Sequence, residues 1–121
     1  MDDTKKALKR RYKLEGRPAG IFRVRNDVTG KVFVGSSLDL NSPLNRIEFE
    51  LQHGISRNRE LQEDYGRYGR KSFTFEIVEV LDPAGDPAFT VERRLEELEQ
   101  AYAANLDRTN SYNTKERLRF P

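Results

Sequence analysis

The sequence predicts an α+β domain: a small mixed three-stranded sheet that contains an antiparallel hairpin and is covered by helices. Three observations carry this. Ile21-Phe22-Arg23-Val24-Arg25 alternates apolar and charged side chains, the mark of a half-buried strand, and Lys31 to Gly35 supplies its hairpin partner. Apolar residues recur at helical spacing in Leu44, Ile47 and Leu51, and again in Val91, Leu95, Leu98, Tyr102 and Leu106. Between the two helical patterns, Ser72 to Leu81 carries apolar residues on both alternating faces, which predicts a central strand.

The elements follow in order. Residues 4 to 14 read as a helix built on Ala7, Leu8, Arg11 and Leu14 and ended by Gly16 and Pro18. The hairpin turn, Asn26 to Gly30, is rich in turn formers, and Gly30 suits a positive φ. Asn41-Ser42-Pro43 is a sharp helix start: Asn41 or Ser42 supplies a cap, and proline is tolerated at the first helical position. That helix is expected to run to about His53 and stop at Gly54. A shorter one is expected from about Asn58 to Tyr65, broken by Gly66 and Gly69. A loop with two prolines, Asp82 to Pro87, leads into a long helix from about Thr90 to Leu106. No internal repeat or low-complexity segment is found.

A chain of 121 residues is one domain by length. Residues 1–17 read as a basic helical arm, 18–114 as the folded domain and 115–121 as a polar tail expected to fray. The hydrophobic fraction of 36% fills one modest core, and the charged fraction of 35% keeps the surface solvated. Net charge is only +2, yet the bases cluster. Lys5, Lys6, Lys9, Arg10, Arg11, Lys13 and Arg17 crowd the arm; Arg67, Arg70 and Lys71 lie mid-chain; Lys115, Arg117 and Arg119 sit at the tail; the acids collect between Glu92 and Glu99. Clusters of this kind suit phosphate backbones, with Lys9, Arg10, Arg67, Arg70 and Lys71 the candidate nucleic-acid contacts; ordinary surface charge is the other reading. The absence of cysteine excludes disulfides and thiolate metal sites and fits a cytoplasmic home. No apolar run approaches membrane-spanning length, and no apolar segment follows the basic N-terminus as in a signal peptide.

Gly20-Ile21-Phe22 followed by Lys31-Val32-Phe33-Val34-Gly35-Ser36-Ser37 resembles the first hairpin of the GIY-YIG nuclease superfamily, of the small free-standing kind found in bacteria and phages. Further along, Leu61-Gln62-Glu63-Asp64-Tyr65, Tyr68-Gly69 and Phe73-Thr74-Phe75 are similar to the middle of such domains. Glu99 three residues before Tyr102, and a closing Tyr112-Asn113, complete an ordered likeness across residues 20 to 113. The likeness implies metal-dependent hydrolysis of nucleic acid, DNA first, with one Mg²⁺ or Mn²⁺ ion. Glu99 would hold the metal, which polarises the phosphate. Arg46 would steady charge on the phosphoryl oxygens. Asn113 would hydrogen-bond near the glutamate.

Three signature places depart from the family pattern. Both tyrosines are phenylalanines, Phe22 and Phe33, and Glu50 stands where a histidine or tyrosine is expected one turn after the arginine. Leu40 to Asn45 is also longer than the usual spacing. A hydroxyl that would position the attacking water is therefore missing, and His53 is the candidate replacement base. Each residue has a plainer role beside the chemical one. Glu99 rims the apolar stripe, Arg46 and Glu50 form a helix-surface ion pair, Phe22 and Phe33 pack, as do Tyr65 and Tyr68, and His53 is a surface residue at a helix end. Two functions stand side by side, a metal-dependent nuclease and a domain that kept the fold without the chemistry to bind nucleic acid or protein. Deleting residues 1 to 13 is expected to weaken nucleic-acid affinity in a filter-binding titration, and unchanged affinity would remove the arm from the interface.

Overall fold

A computed structural model describes residues 18–81, 88–113 and 118–119 of the chain. The expected N-terminal helix, with Lys9 and Arg10, and the two-proline loop lie outside the described residues. The rest follows the predicted order: β1 (Ala19–Asn26), β2 (Val32–Ser37), α1 (Pro43–Gln52), α2 (Arg59–Tyr68), β3 (Phe73–Leu81) and α3 (Ala88–Asn105). The strand order is β2-β1-β3, and both strand pairs are antiparallel. Among the described residues, parallel pairing is confined to two isolated bridges on the outer side of β2, Val32 with Ser111 and Ser36 with Arg119. Among the described residues, no helix is long and apolar enough to cross a membrane.

β1, not β3, is the central strand, which corrects the expectation from sequence. Its alternation feeds both faces of the sheet. Phe22 and Val24 point into a core with Ile47 and Leu51 of α1, Leu61 of α2, Phe73 and Tyr112. Ala19 and Ile21 point the other way, against Val91, Leu95, Leu98 and Tyr102 of α3. The result is three layers, with α1 and α2 on one face and α3 on the other. Each fully buried side chain of this kind contributes about 1.5–3 kcal/mol. β3 lies at the edge, and its exposures settle the matter: Ile77 is 49% and Val80 40% exposed. A bulge between Ile21 and Phe22 shifts the β1–β3 register.

Local signals account for the element ends. Gly30 turns the hairpin at φ 79°. Pro43 opens α1 as expected, although the side chain of Ser42 makes no cap hydrogen bond. Asn58 caps α2 by accepting from the Leu61 N–H at 3.0 Å. Gly66 does not break that helix, which continues to Tyr68 because Tyr65 and Tyr68 both pack against the core; Gly69 ends it. The tail expected to fray is anchored at its two described residues. Leu118 is buried against Ile21 and Val34, and its carbonyl accepts from the Ser36 N–H at 2.8 Å.

Two glycines of the signature are required by close approach. A Cβ on Gly35 would stand 2.3 Å from Cζ of Phe22, its cross-strand partner, so the phenyl ring lies directly over that strand. A Cβ on Gly20 would meet the Glu79 carbonyl oxygen at 2.0 Å, and a backbone atom has less room to yield than a ring. Gly35→Ala is expected to destabilise by about 1–3 kcal/mol in urea unfolding, Gly20→Ala by more, and Phe22→Leu to recover part of the Gly35→Ala loss. Additive losses from Phe22→Leu and Gly35→Ala would show that the ring is not the obstacle.

Candidate active site

Alternation along β2 sends Ser36 to the same face as Val34, beneath α3. There its hydroxyl donates to Oε2 of Glu99. Glu99 is a partly buried carboxylate on the rim of the α3 apolar stripe, its side chain 16% exposed. Arg119 reaches it from the C-terminal segment, with Nε 2.6 Å from Oε2 and Nη2 3.3 Å from Oε1. The guanidinium fork thus spans both carboxylate oxygens. Its third nitrogen, Nη1, lies 3.9 Å from Glu92, two helical turns from Glu99 on α3.

This arrangement decides how a divalent ion fits. Metal–oxygen bonds of about 2.0–2.6 Å require open lone pairs, and both Glu99 oxygens already face a guanidinium, one of them a hydroxyl as well. As folded, the Glu99 cluster does not fit a cation. Among the described residues, no group of three or more His, Asp or Glu side chains gathers to hold one elsewhere.

The other expected residues are dispersed over the fold. Arg46 stands on α1, its Nε 3.5 Å from Glu50, one turn along. Since α1 and α3 cover opposite faces, Arg46 and Glu99 belong to different layers. Phe22 is fully buried and Phe33 packs against the same core, so both rings serve the α1–α2 side rather than the Glu99 side. His53 stacks on Phe49 with ring centroids 4.1 Å apart, and its Nδ1 lies 2.9 Å from the Phe49 carbonyl. A carbonyl only accepts, so Nδ1 is the donor in this contact. Arg67, Arg70 and Lys71 are exposed at the end of α2 and the turn after it, and Arg70 is paired with Glu48, 2.7 Å away.

Asn113 holds β2 rather than Glu99. Its Oδ1 accepts from the Val34 N–H at 2.9 Å and its Nδ2 donates to the Val34 carbonyl at 2.7 Å. Beside it, Tyr112 is wholly buried, donates to Asp64 at 2.7 Å and accepts from Asn26 at 3.1 Å. Burial, followed by the Asp64 hydrogen bond, pushes the Tyr112 phenol well above its ordinary value near 10. Ser36 and Asp64 entered the sequence reading only within motifs, Asn26 as a turn residue and Arg119 as a base of the tail; none was given a role in the site. The one available signal was strand parity, which places Ser36 on the Val34 face.

Two solved structures share this architecture. A mutant form of the catalytic domain of intron endonuclease I-TevI superposes with a TM-score of 0.63 at 22% identity, over 82% of this chain and 95% of that one. The catalytic domain of homing endonuclease I-TevI superposes with a TM-score of 0.54 at 24% identity, over 80% and 98%. No family model and no curated protein sequence matches the chain.

A folded-state phenol held above its ordinary value contributes stability that is complete below pH 10 and lost as pH rises further, because the unfolded phenol ionises first. Tyr112→Phe is therefore expected to lower the urea midpoint at pH 8, with about 1–3 kcal/mol lost, and to flatten the decline between pH 9 and 11. Equal alkaline slopes in the two proteins would show that Tyr112 does not carry the effect. The single antiparallel sheet covered by helices on both faces and the superpositions agree: the chain has the GIY-YIG-like fold.

Proposed function

We propose that the chain is a nucleic-acid phosphodiesterase domain of the GIY-YIG type, with DNA the first substrate to try. The observation that supports this most is the position of Glu99 within that fold: a partly buried carboxylate on the last helix, tied to the residue after Gly35. A carboxylate in that position is costly to desolvate without a cationic partner, a place that Arg119 fills in the folded chain. Arg46 stands on the opposite face of the sheet from Glu99, so the family likeness alone gives it the phosphoryl oxygens, a role that requires it to exchange Glu50 for phosphate. His53, whose Nδ1 donates to the Phe49 carbonyl, is the group to take a proton from the attacking water in place of the absent tyrosine hydroxyls. The family likeness implies one Mg²⁺ or Mn²⁺ ion.

The fit of Phe22 favours a second reading, a domain that binds nucleic acid or protein without cutting. Its ring is fully buried over Gly35 and has no hydroxyl to offer. The two readings separate in one experiment. With labelled single- and double-stranded DNA and RNA in Mg²⁺ or Mn²⁺, wild type is expected to cleave, Glu99→Gln to abolish cleavage, and His53→Ala to slow it by about 10²–10⁴-fold. Cleavage that survives Glu99→Gln would remove that residue from the chemistry. No cleavage, with binding that weakens steeply as salt rises, would establish the second reading for nucleic acid.

A further inference from the structure

We infer that the Phe49–His53 pair at the end of α1 is a stacking platform for an unpaired base of single-stranded nucleic acid, with Arg57 and Arg59 taking the phosphates beside it. The inference rests on the reading of the domain as one that meets nucleic acid.

Geometry supplies the platform. Pro43, Ile47 and Leu51 form the buried stripe of α1. Arg46, Phe49 and His53, spaced three and four residues apart, lie together on the side away from it. Phe49 is 54% exposed, and among the described side chains no other phenylalanine or tyrosine is exposed. The ring is nevertheless held in place. His53 lies against one of its faces, tilted 28°, and is itself tied through Nδ1 to the Phe49 carbonyl. A flat ring already fixed in direction loses little freedom when a base stacks on it. Every base has a π face to offer, so such a contact tolerates any sequence.

Charge supplies the partner. Glu48, Glu50 and Glu60 are each engaged by a cation, respectively Arg70, Arg46 and Lys31. Arg57, in the turn after α1, and Arg59, the first residue of α2, are exposed and pair with no described acid. Their charge is therefore open to a phosphate. The two faces of the sheet also differ in sign: residues 43–72 carry six Lys and Arg against five Asp and Glu, whereas α3 carries two against four. A polyanion is accordingly drawn to the α1–α2 layer and repelled from α3. Duplex bases already stack on one another, and an unpaired base has a face to give. The platform thus selects single strands.

The test is binding of the full chain to a labelled oligothymidine strand and to an abasic strand of the same length, by fluorescence anisotropy with EDTA present so that neither is cut. Wild type is expected to bind the thymidine strand on the order of tenfold more tightly, equivalent to about 1.4 kcal/mol. Phe49→Ala should lose that preference and bind the two strands alike. Arg57→Gln/Arg59→Gln should keep the preference, weaken both complexes and reduce the salt slope by roughly 1.4, the share of two phosphates on a single strand. The chain has no tryptophan, so Phe49→Trp adds its only indole. That variant should keep wild-type affinity, and its fluorescence should be quenched by the thymidine strand and not by the abasic one. Equal affinity of wild type for the two strands, or an indole left unquenched in a complex that forms, would overturn the platform and leave nucleic-acid binding in place. Failure of wild type to bind either strand would remove the nucleic-acid reading and the platform with it, and would leave the exposed ring to a protein partner.

Discussion

The outer edge of β2 is closed by a segment that arrives almost eighty residues later, and the rest of the structure is arranged around that closure. Val32, Val34 and Ser36 point their backbone groups away from β1. The Val32 carbonyl receives the Tyr112 N–H at 2.7 Å, and the Ser36 N–H finds the Leu118 carbonyl. Between them, the side-chain amide of Asn113 gives Val34 both an acceptor and a donor, doing with one side chain what a strand residue does with its backbone. Each bond contributes about 0.5–1.5 kcal/mol, and leaving such a group buried and unmet costs about 1–3 kcal/mol. The same closure drives Tyr112 into the core and delivers Arg119 to Glu99. A mainly structural need thus fixes the electrostatics of the candidate site.

How much of this was legible in the sequence depended on whether the signal was local. The hairpin, α1 and α3 were legible, because alternation and helical spacing are set by residues that lie close together in the chain. The position of β3 was not. Apolar residues on both faces read alike for a buried strand and for an edge strand with exposed Ile77 and Val80, and only pairing with β1 tells them apart. Gly66 was misread because propensity is a weak prior; the packing of Tyr65 and Tyr68 outweighs a cost of about 1 kcal/mol for a glycine inside a helix. At the described residues of the tail, a mostly polar composition hid one leucine with an apolar notch to fill.

The candidate site shows the same limit in chemical form. Residue types and order pointed to Glu99, Arg46 and His53, but types do not reveal partners. Glu99 turns out to hold Arg119, Arg46 holds Glu50, and the His53 ring rests on Phe49. Phe22 is a case where shape and chemistry separate. Phenylalanine keeps the ring that must lie over Gly35, so the fold bears the substitution, while the hydroxyl that the family would use is gone.

The order in which these contacts become possible has a consequence for synthesis. β1 must wait for β3, some fifty residues on, before it is flanked on both sides, and β2 must wait for residues 112 to 118. Since domains are built on the ribosome from the N-terminus, the first hairpin emerges with both outer edges open. An unpaired strand edge is a template for pairing with another chain. The nascent domain is therefore at its most adhesive until its last described residues have emerged, and any shortened form that stops before Asn113 retains that exposed strand permanently.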